Sequence, residues 1–169
     1  VSDEDATTGP AGVMYRFENG ISPYISYAEA FSMNLGTDGT AAANTLEPTT
    51  GDQQEAGVKY VSPDQSLGIT AAYFDITQEN RISDGSTPGG VEQTGAVIDG
   101  WELQVNKRWQ RFETQLAYTD LNAKDDASGN RLPYVAERQA SWWNQLYIAN
   151  NWRFGAGVRY VGDNVGSGG

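Results

Sequence analysis

Arg81, Arg131, Tyr134 and Arg138 are the residues of this chain best equipped to recognise a ligand. Guanidinium groups donate charge-assisted hydrogen bonds to anionic oxygens, and guanidinium and phenol groups both stack on flat rings, so the set suits an anionic, aromatic-bearing ligand. The plainer alternative for each is a solvated loop residue. Asp125, Asp126 and Asn130 hint at calcium but lack the ligand spacing and central Gly of a calcium loop, and no metal site is assigned. The chain has no Cys and no His, which removes thiol nucleophiles, imidazole bases, disulfides and the usual zinc ligands together. Nothing pairs a nucleophile with a base, so no enzyme is expected, and no cofactor.

Composition narrows what those side chains can serve. The 169 residues carry a net charge of −11, which argues against a nucleic-acid partner, because phosphate binding needs a positive surface. No apolar run approaches the ~18 residues of a membrane helix. A membrane β-barrel escapes that test, since only alternate residues face lipid. Gly100 to Trp109 shows such alternation: Trp101, Leu103, Val105 and Trp109 fall on one side, and Gly100, Glu102, Gln104, Asn106 and Arg108 on the other. The two tryptophans lie roughly 26 Å apart at ~3.3 Å per residue. A strand tilt of ~40° reduces this to about 20 Å of depth, close to the spacing of two aromatic girdles. Trp152, Phe154, Ala156, Val158 and Tyr160 repeat the pattern against Arg153, Gly155, Gly157 and Arg159. We therefore expect Trp101, Leu103, Val105, Phe154, Ala156 and Val158 to face lipid.

Eight strands are predicted: near Gly12–Glu18, Pro23–Phe31, Gln53–Val61, from Leu67 onward, Gly100–Trp109 reaching back towards Thr94, Phe112–Leu121, Gln139–Ala149, and from Trp152 to Tyr160. Asn19-Gly20 signals a tight turn. Phe74-Asp75-Ile76 breaks the alternation of the fourth strand, which predicts a bulge there. The adjacent Trp142 and Trp143 leave the faces of the seventh strand unassigned. Connections are short after strands one, three, five and seven, and long after two, four and six, at Met33–Gly51, Glu79–Glu92 and Asn122–Glu137. Short turns at one end and long loops at the other match outer-membrane barrels, with their short periplasmic turns and longer extracellular loops. In that setting Arg16, Glu18, Glu55, Lys59, Glu102, Arg108, Glu113, Arg153 and Arg159 fall on the interior side. They can line a transport path. A salt-bridged wall is the reading we favour, because mixed charge is ordinary on a polar barrel interior.

The segment Gly51-Asp52-Gln53-Gln54-Glu55-Ala56-Gly57-Val58-Lys59-Tyr60 resembles the Gly-x-Gln-x-Glu-x-Gly-Val-Lys-Tyr segment of TonB-dependent ferric-siderophore receptors. Pro23-Tyr24-Ile25-Ser26-Tyr27 is similar to the segment before it, and Tyr73-Phe74-Asp75-Ile76-Thr77-Gln78-Glu79-Asn80 to the one after it. Further matches are Gln93-Thr94-Gly95 leading into Gly100-Trp101-Glu102-Leu103, Tyr118-Thr119-Asp120, and Gly157-Val158-Arg159-Tyr160-Val161-Gly162, in the family's order over nearly the whole chain. The resemblance implies a barrel of about 22 strands with an N-terminal plug, which binds an iron–siderophore complex outside and imports it with energy from TonB. Residues 1–169 would then be one partial barrel domain of the Gram-negative outer membrane, an all-β, antiparallel, up-and-down segment of about eight strands from the mid-to-late part, without plug or terminal strands. Iron would arrive as a siderophore complex, with Arg81, Arg131, Tyr134 and Arg138 meeting it in extracellular loops, and TonB would act through the plug. Two other classes stay open at this point: a small non-transporting outer-membrane barrel serving as anchor or adhesin, and a soluble secreted β-sandwich binding module.

Overall fold

The computed structural model describes residues 7–40, 42, 44–84, 90–149 and 151–166. Every element among the described residues is a strand: β1 (Ala11–Met14), β2 (Ile21–Ser32), β3 (Thr49–Val61), β4 (Leu67–Asp84), β5 (Val91–Arg108), β6 (Phe112–Asp125), β7 (Arg138–Ala149) and β8 (Trp152–Val161). They form one antiparallel sheet in sequence order, in which β1 and β8 are the two edges and do not meet. β1 is shorter than predicted. Tyr15 N still donates to Pro23 O at 3.1 Å, but Pro23 has no N–H to return the bond, so the ladder lapses after Met14. Phe17 N then donates to Ile21 O, and the turn closes through Asn19 and Gly20, whose φ of 87° suits glycine.

The long connection predicted at Glu79–Glu92 is largely a hairpin. β4 runs on to Asp84 and β5 begins at Val91, leaving 85–90, of which 85–89 lie outside the described residues. Of that stretch, Glu79 to Asp84, Val91 and Glu92 are strand residues here. At this end no single face has to be apolar, so the sequence loses its period without losing its ladder. The other two connections span 33–48 and 126–137, with 41 and 43 outside the description.

Register sorts the side chains into two faces, because residues paired across an antiparallel ladder point the same way. One continuous row reads Val58, Ala71, Leu103, Tyr118, Ala140 and Tyr160 from β3 to β8. The next reads Tyr60, Ile69, Val105, Leu116, Trp142 and Val158. Tyr73 and Trp101 pair just above, with ring centroids 5.0 Å apart. Phe154 and Ala156 lie below, opposite Leu146 and Asn144. The large side chains of this face are unburied: Trp101 keeps 62% of its surface exposed and Val158 68%. Its few polar groups are bonded among themselves. Trp142 Nε1 donates to Thr114 Oγ1 at 2.8 Å, and that hydroxyl donates to Asn144 Oδ1 at 2.7 Å.

The bulge predicted at Phe74-Asp75-Ile76 is absent there; those residues pair without interruption with Gly100, Asp99 and Ile98. What changes is the sidedness of the sheet. Towards the long connections the apolar face turns polar, through Asp75, Asp99 and Asn122, while the opposite face becomes apolar. Buried Phe74 lies on that opposite face, as do Ala96 and Ala123, which Leu132 covers from the 126–137 segment with Ile98, Leu121 and Val135 around them. The real bulge is four residues further on, between Gln78 and Arg81, where Asn80 has a φ of 54°. The two tryptophans of β7 point opposite ways: Trp142 pairs with Leu116 and Val158, and Trp143 with Gln115 and Gly157.

Candidate functional site

The Asn80 bulge shifts the alternation by one, so Arg81 pairs with Thr94 on the same face as Gln78 and Ala96. Without the extra residue it would lie on the Trp101 face. Its Nη2 donates to Thr94 Oγ1 at 3.3 Å and lies 4.0 Å from Asp125 Oδ2, while its Nε is buried with no partner. Arg81 is therefore a strand residue and not the loop residue expected from the sequence. The other three expected ligand residues lie elsewhere. Arg131 is in the 126–137 connection, with its Nε 2.7 Å from Glu137 Oε1. Tyr134 has a left-handed backbone at φ 63° and its N–H donates to Val165 O, tying that connection to the segment after β8. Arg138 is the first residue of β7 and pairs with Asp120 on the Trp101 face, its Nε 3.3 Å from Asp120 Oδ2; Tyr118 donates to the same oxygen at 3.0 Å. Of the two strand-borne arginines, Arg81 faces the polar side and Arg138 the apolar side.

Sequence reasoning missed the network that holds this end together. The Asn80 carbonyl, turned by the bulge, accepts from Asn34 Nδ2 at 3.2 Å, Thr49 Oγ1 at 2.9 Å and Gln93 Nε2 at 3.0 Å. The Gln93 amide also pairs with the backbone of Glu47 as a strand would. Its Oε1 accepts from Glu47 N at 2.8 Å and its Nε2 donates to Glu47 O at 2.6 Å. Val91 N donates to Asp38 O, so the 33–48 connection is bonded to the β4–β5 hairpin along its length. Asp38 in turn organises its own loop: the Asn44 amide, and then the Thr40 hydroxyl and N–H, hold its carboxyl below the usual range. The available signal was the quoted Glu79-Asn80 and Gln93-Thr94-Gly95 segments, whose partnership spacing alone does not reveal.

The polar face runs from there to the short turns. Glu55, Lys59, Glu102, Arg108, Glu113, Arg153 and Arg159 share it by register. It is less salt-bridged than expected: among the described residues, Arg108 and Glu113 form the ion pair of this set, at 3.5 Å. Tyr24 lies over Gly57, donates its hydroxyl to Glu55 at 2.5 Å, and has Lys59 Nζ 4.7 Å from its ring centroid. Tyr147 donates to Glu113 at 3.1 Å and carries the Arg153 guanidinium 5.2 Å from its ring centroid. Trp143 covers Gly155 and Gly157, where an added methyl would come within 2.5 and 2.7 Å of the indole. These glycines are the floor under an aromatic ring, which answers how a wall so rich in glycine avoids voids.

The family model described as "TonB dependent receptor-like, beta-barrel" matches residues 1–169. The chain is 30% identical over 167 residues to the ferrioxamine receptor of Yersinia enterocolitica, covering 94% of this chain and 23% of that protein. It is likewise 30% identical over 184 residues to the ferrichrome outer membrane transporter/phage receptor of Escherichia coli K12, covering 97% of this chain and 23% of that protein. The chain thus spans about a quarter of the length of the curated relatives it matches. Among solved structures, the ferripyoverdine receptor of the outer membrane of Pseudomonas aeruginosa, bound to ferripyoverdine, superposes with a TM-score of 0.76 at 23% identity, over 93% of this chain and 23% of that one.

Proposed function

The chain belongs to the TonB-dependent receptor family of β-barrels, and from that premise we propose that it is a section of the barrel wall of an outer-membrane importer of ferric siderophores. The observation that carries this reading is the pair of apolar rows crossing β3 to β8 without a break, backed by a face on which Glu, Lys, Arg and Gln stand among small residues. An open sheet with that profile fits lipid on one side and a wet interior on the other. Trp101, Leu103, Val105, Phe154, Ala156 and Val158 meet lipid. The 33–48 and 126–137 connections and the adjoining ends of β4 and β5 lie outside the cell and the short turns in the periplasm. Lys107, which donates to Ser66 Oγ at 2.7 Å beside Trp109, anchors the periplasmic border.

β1 and β8 do not pair with each other, so these eight strands form part of a larger closed wall, since an unpaired edge in hydrocarbon costs several kcal/mol per group. Arg81 faces the interior near its extracellular mouth and is the best placed of the four candidate residues to touch a passing ligand. Arg138, on the lipid side with Asp120, works as a border anchor. TonB acts through a plug that inserts into the interior.

Iron-starved cells expressing the full-length gene should take up a labelled ferric siderophore, and should lose that uptake when TonB is deleted. Uptake that persists without TonB would overturn the importer reading. So would an isolated 169-residue chain that closes by itself into a stable small barrel, which would favour the anchor alternative.

A further inference from the structure

We propose that the groove between the β3–β4 and β5–β6 turns seats the headgroup of a zwitterionic aminophospholipid of the periplasmic leaflet, its phosphate on Lys107 and its ammonium on Asp64. The proposal rests on the lipid and periplasmic sides assigned above and adds the class of lipid that the wall selects.

The groove has a volume of ≈ 600 Å³ and is lined by Asp64 and Ser66 from the first turn and by Lys107 and Trp109 from the second. The two turns are bonded to each other: Arg108 N donates to Ser66 O at 2.8 Å, and Lys107 Nζ to Ser66 Oγ at 2.7 Å. The first turn is also fixed internally, with Gln65 N donating to Ser62 O at 2.8 Å and Leu67 N to Ser62 Oγ at 2.9 Å. Asp64 Oδ1 accepts from Ser62 Oγ at 2.6 Å and from Ser66 N at 3.2 Å, and these bonds keep the exposed carboxyl ionised. Lys107 and Asp64 are thus opposite charges in one groove, with Ser66 bonded to both. Neither enters an ion pair among the described residues. Paired, they would cancel; held apart by Ser66, they present a cation and an anion to a ligand carrying the opposite pair. A phosphate and a primary ammonium two carbons apart is such a ligand, and each end forms a charge-assisted hydrogen bond.

The groove also opens onto a surface made for acyl chains. Half-buried Lys107 lies between Leu67 and Thr114 on the Trp101 face, and the next tier of that face is Ile69, Val105 and Leu116. An amphiphile with its charges in the groove therefore lays its chains along an apolar row. Trp109 stands at the junction, half exposed, with Lys107 Nζ 5.7 Å from its ring centroid and the Phe112 ring 5.3 Å away. An indole in that position sits at headgroup level. The opposite border of the same face offers a phosphate nothing comparable. It carries Asp75, Asp99 and Asp120, and Arg138 is already committed to Asp120.

The test uses the full-length receptor purified in detergent and titrated with three lipids of identical dioleoyl chains: phosphatidylethanolamine, phosphatidylglycerol and phosphatidylcholine. Bound lipid is counted by native mass spectrometry, and the site's share is the binding lost in Lys107→Gln. At that site the ethanolamine lipid should bind at least about tenfold more tightly than the glycerol lipid, which has no ammonium, or the choline lipid, whose ammonium has no N–H to donate. Asp64→Asn should bring the ethanolamine lipid down to the level of the glycerol lipid and leave the glycerol lipid unweakened. If Lys107→Gln does not assemble, the discrimination among the three lipids and its collapse in Asp64→Asn decide the matter by themselves. Equal binding of the three lipids, tighter binding of the glycerol lipid, or a preference that survives Asp64→Asn overturns the proposal. Free phosphoethanolamine displacing the ethanolamine lipid at equal concentration overturns it in favour of a soluble occupant. Neither siderophore nor TonB enters the measurement, so failure of TonB-dependent uptake would sink the importer reading alone, and equal binding of the three lipids would sink this proposal alone.

Discussion

Val105 and Gln104 are adjacent on β5 and, by register, point to opposite faces: Val105 between Ile69 and Leu116, Gln104 between Thr70 and Ala117. Val105 is four residues from Trp101 and four from Trp109, roughly 13 Å along the strand from each, which sets it at the middle of the proposed lipid belt. An arginine there should cost ~2–4 kcal/mol, the depth-dependent cost at a bilayer midplane. An arginine at Gln104 enters a wet, mixed-charge wall and should cost about 0–1 kcal/mol. Urea unfolding of the full-length receptor in lipid vesicles, followed by tryptophan fluorescence, should therefore separate Val105→Arg from Gln104→Arg by about 5- to 700-fold in the folding equilibrium. Gln54→Arg, on the same face as Val105 but in the polar zone beyond the belt, should behave like Gln104→Arg. If Val105→Arg and Gln104→Arg cost the same, the two-faced assignment is refuted. If Gln104→Arg costs more, the faces are reversed.

Other perturbations reach different parts of the structure. Gln93→Leu removes both bonds to the Glu47 backbone and one to Asn80; amide hydrogen exchange at Glu47 should rise about tenfold or more, at roughly 1 kcal/mol per bond, and unchanged protection would show that the 33–48 connection is held otherwise. Gly155→Val should drive the indole of Trp143 off the wall and destabilise by about 1–3 kcal/mol, with a changed near-ultraviolet dichroism that Gly166→Val, in open space, does not produce. In the Ser62–Ser66 turn, the Ser62 hydroxyl and then Ser66 hold the Asp64 carboxyl well below the ordinary value near 3.9. With the folded value lowered, the turn's contribution to stability is complete above that ordinary value and is lost as pH falls through the lower, folded one. Carbon-detected NMR should find no titration of Asp64 between pH 4 and 7, and a midpoint inside that window would contradict the turn geometry.

Much of the sheet was legible because alternation and turn chemistry are local. Gly100–Trp109 and Trp152–Tyr160 have an unambiguous period of two, Asn19-Gly20 marks its turn, and two of the three connections expected to be long, 33–48 and 126–137, are so. Three things were hidden. The inversion of sidedness near Phe74 imitates a bulge, because period alone cannot distinguish an extra residue from an exchange of solvent between the faces. The upper parts of β4 and β5 carry no apolar period, and their strand character comes from each other. The placement of Arg81 depends on one left-handed residue, Asn80, that shifts every later side chain to the other face. Trp142 and Trp143 were unassignable for a simpler reason: both faces of β7 take an aromatic, one to continue the apolar row of Leu116 and Val158 and one to cover Gly155 and Gly157.

The same inversion gives the wall a waterline. Tyr73 and Trp101 are followed along their strands by Asp75 and Asp99, on the side that has just been apolar, and Tyr118 is followed by Asp120. Were the wall to sink by two residues, about 6–7 Å along each strand, this tier of carboxylates would enter hydrocarbon together. Were it to rise by as much, Trp152 and Lys107 would leave the periplasmic border. On the proposed orientation, flotation height is fixed by the strands themselves, and the Ala96, Ala123 and Leu132 cluster, whose apolar contacts hold the 126–137 segment against the sheet, lies just above the lipid border.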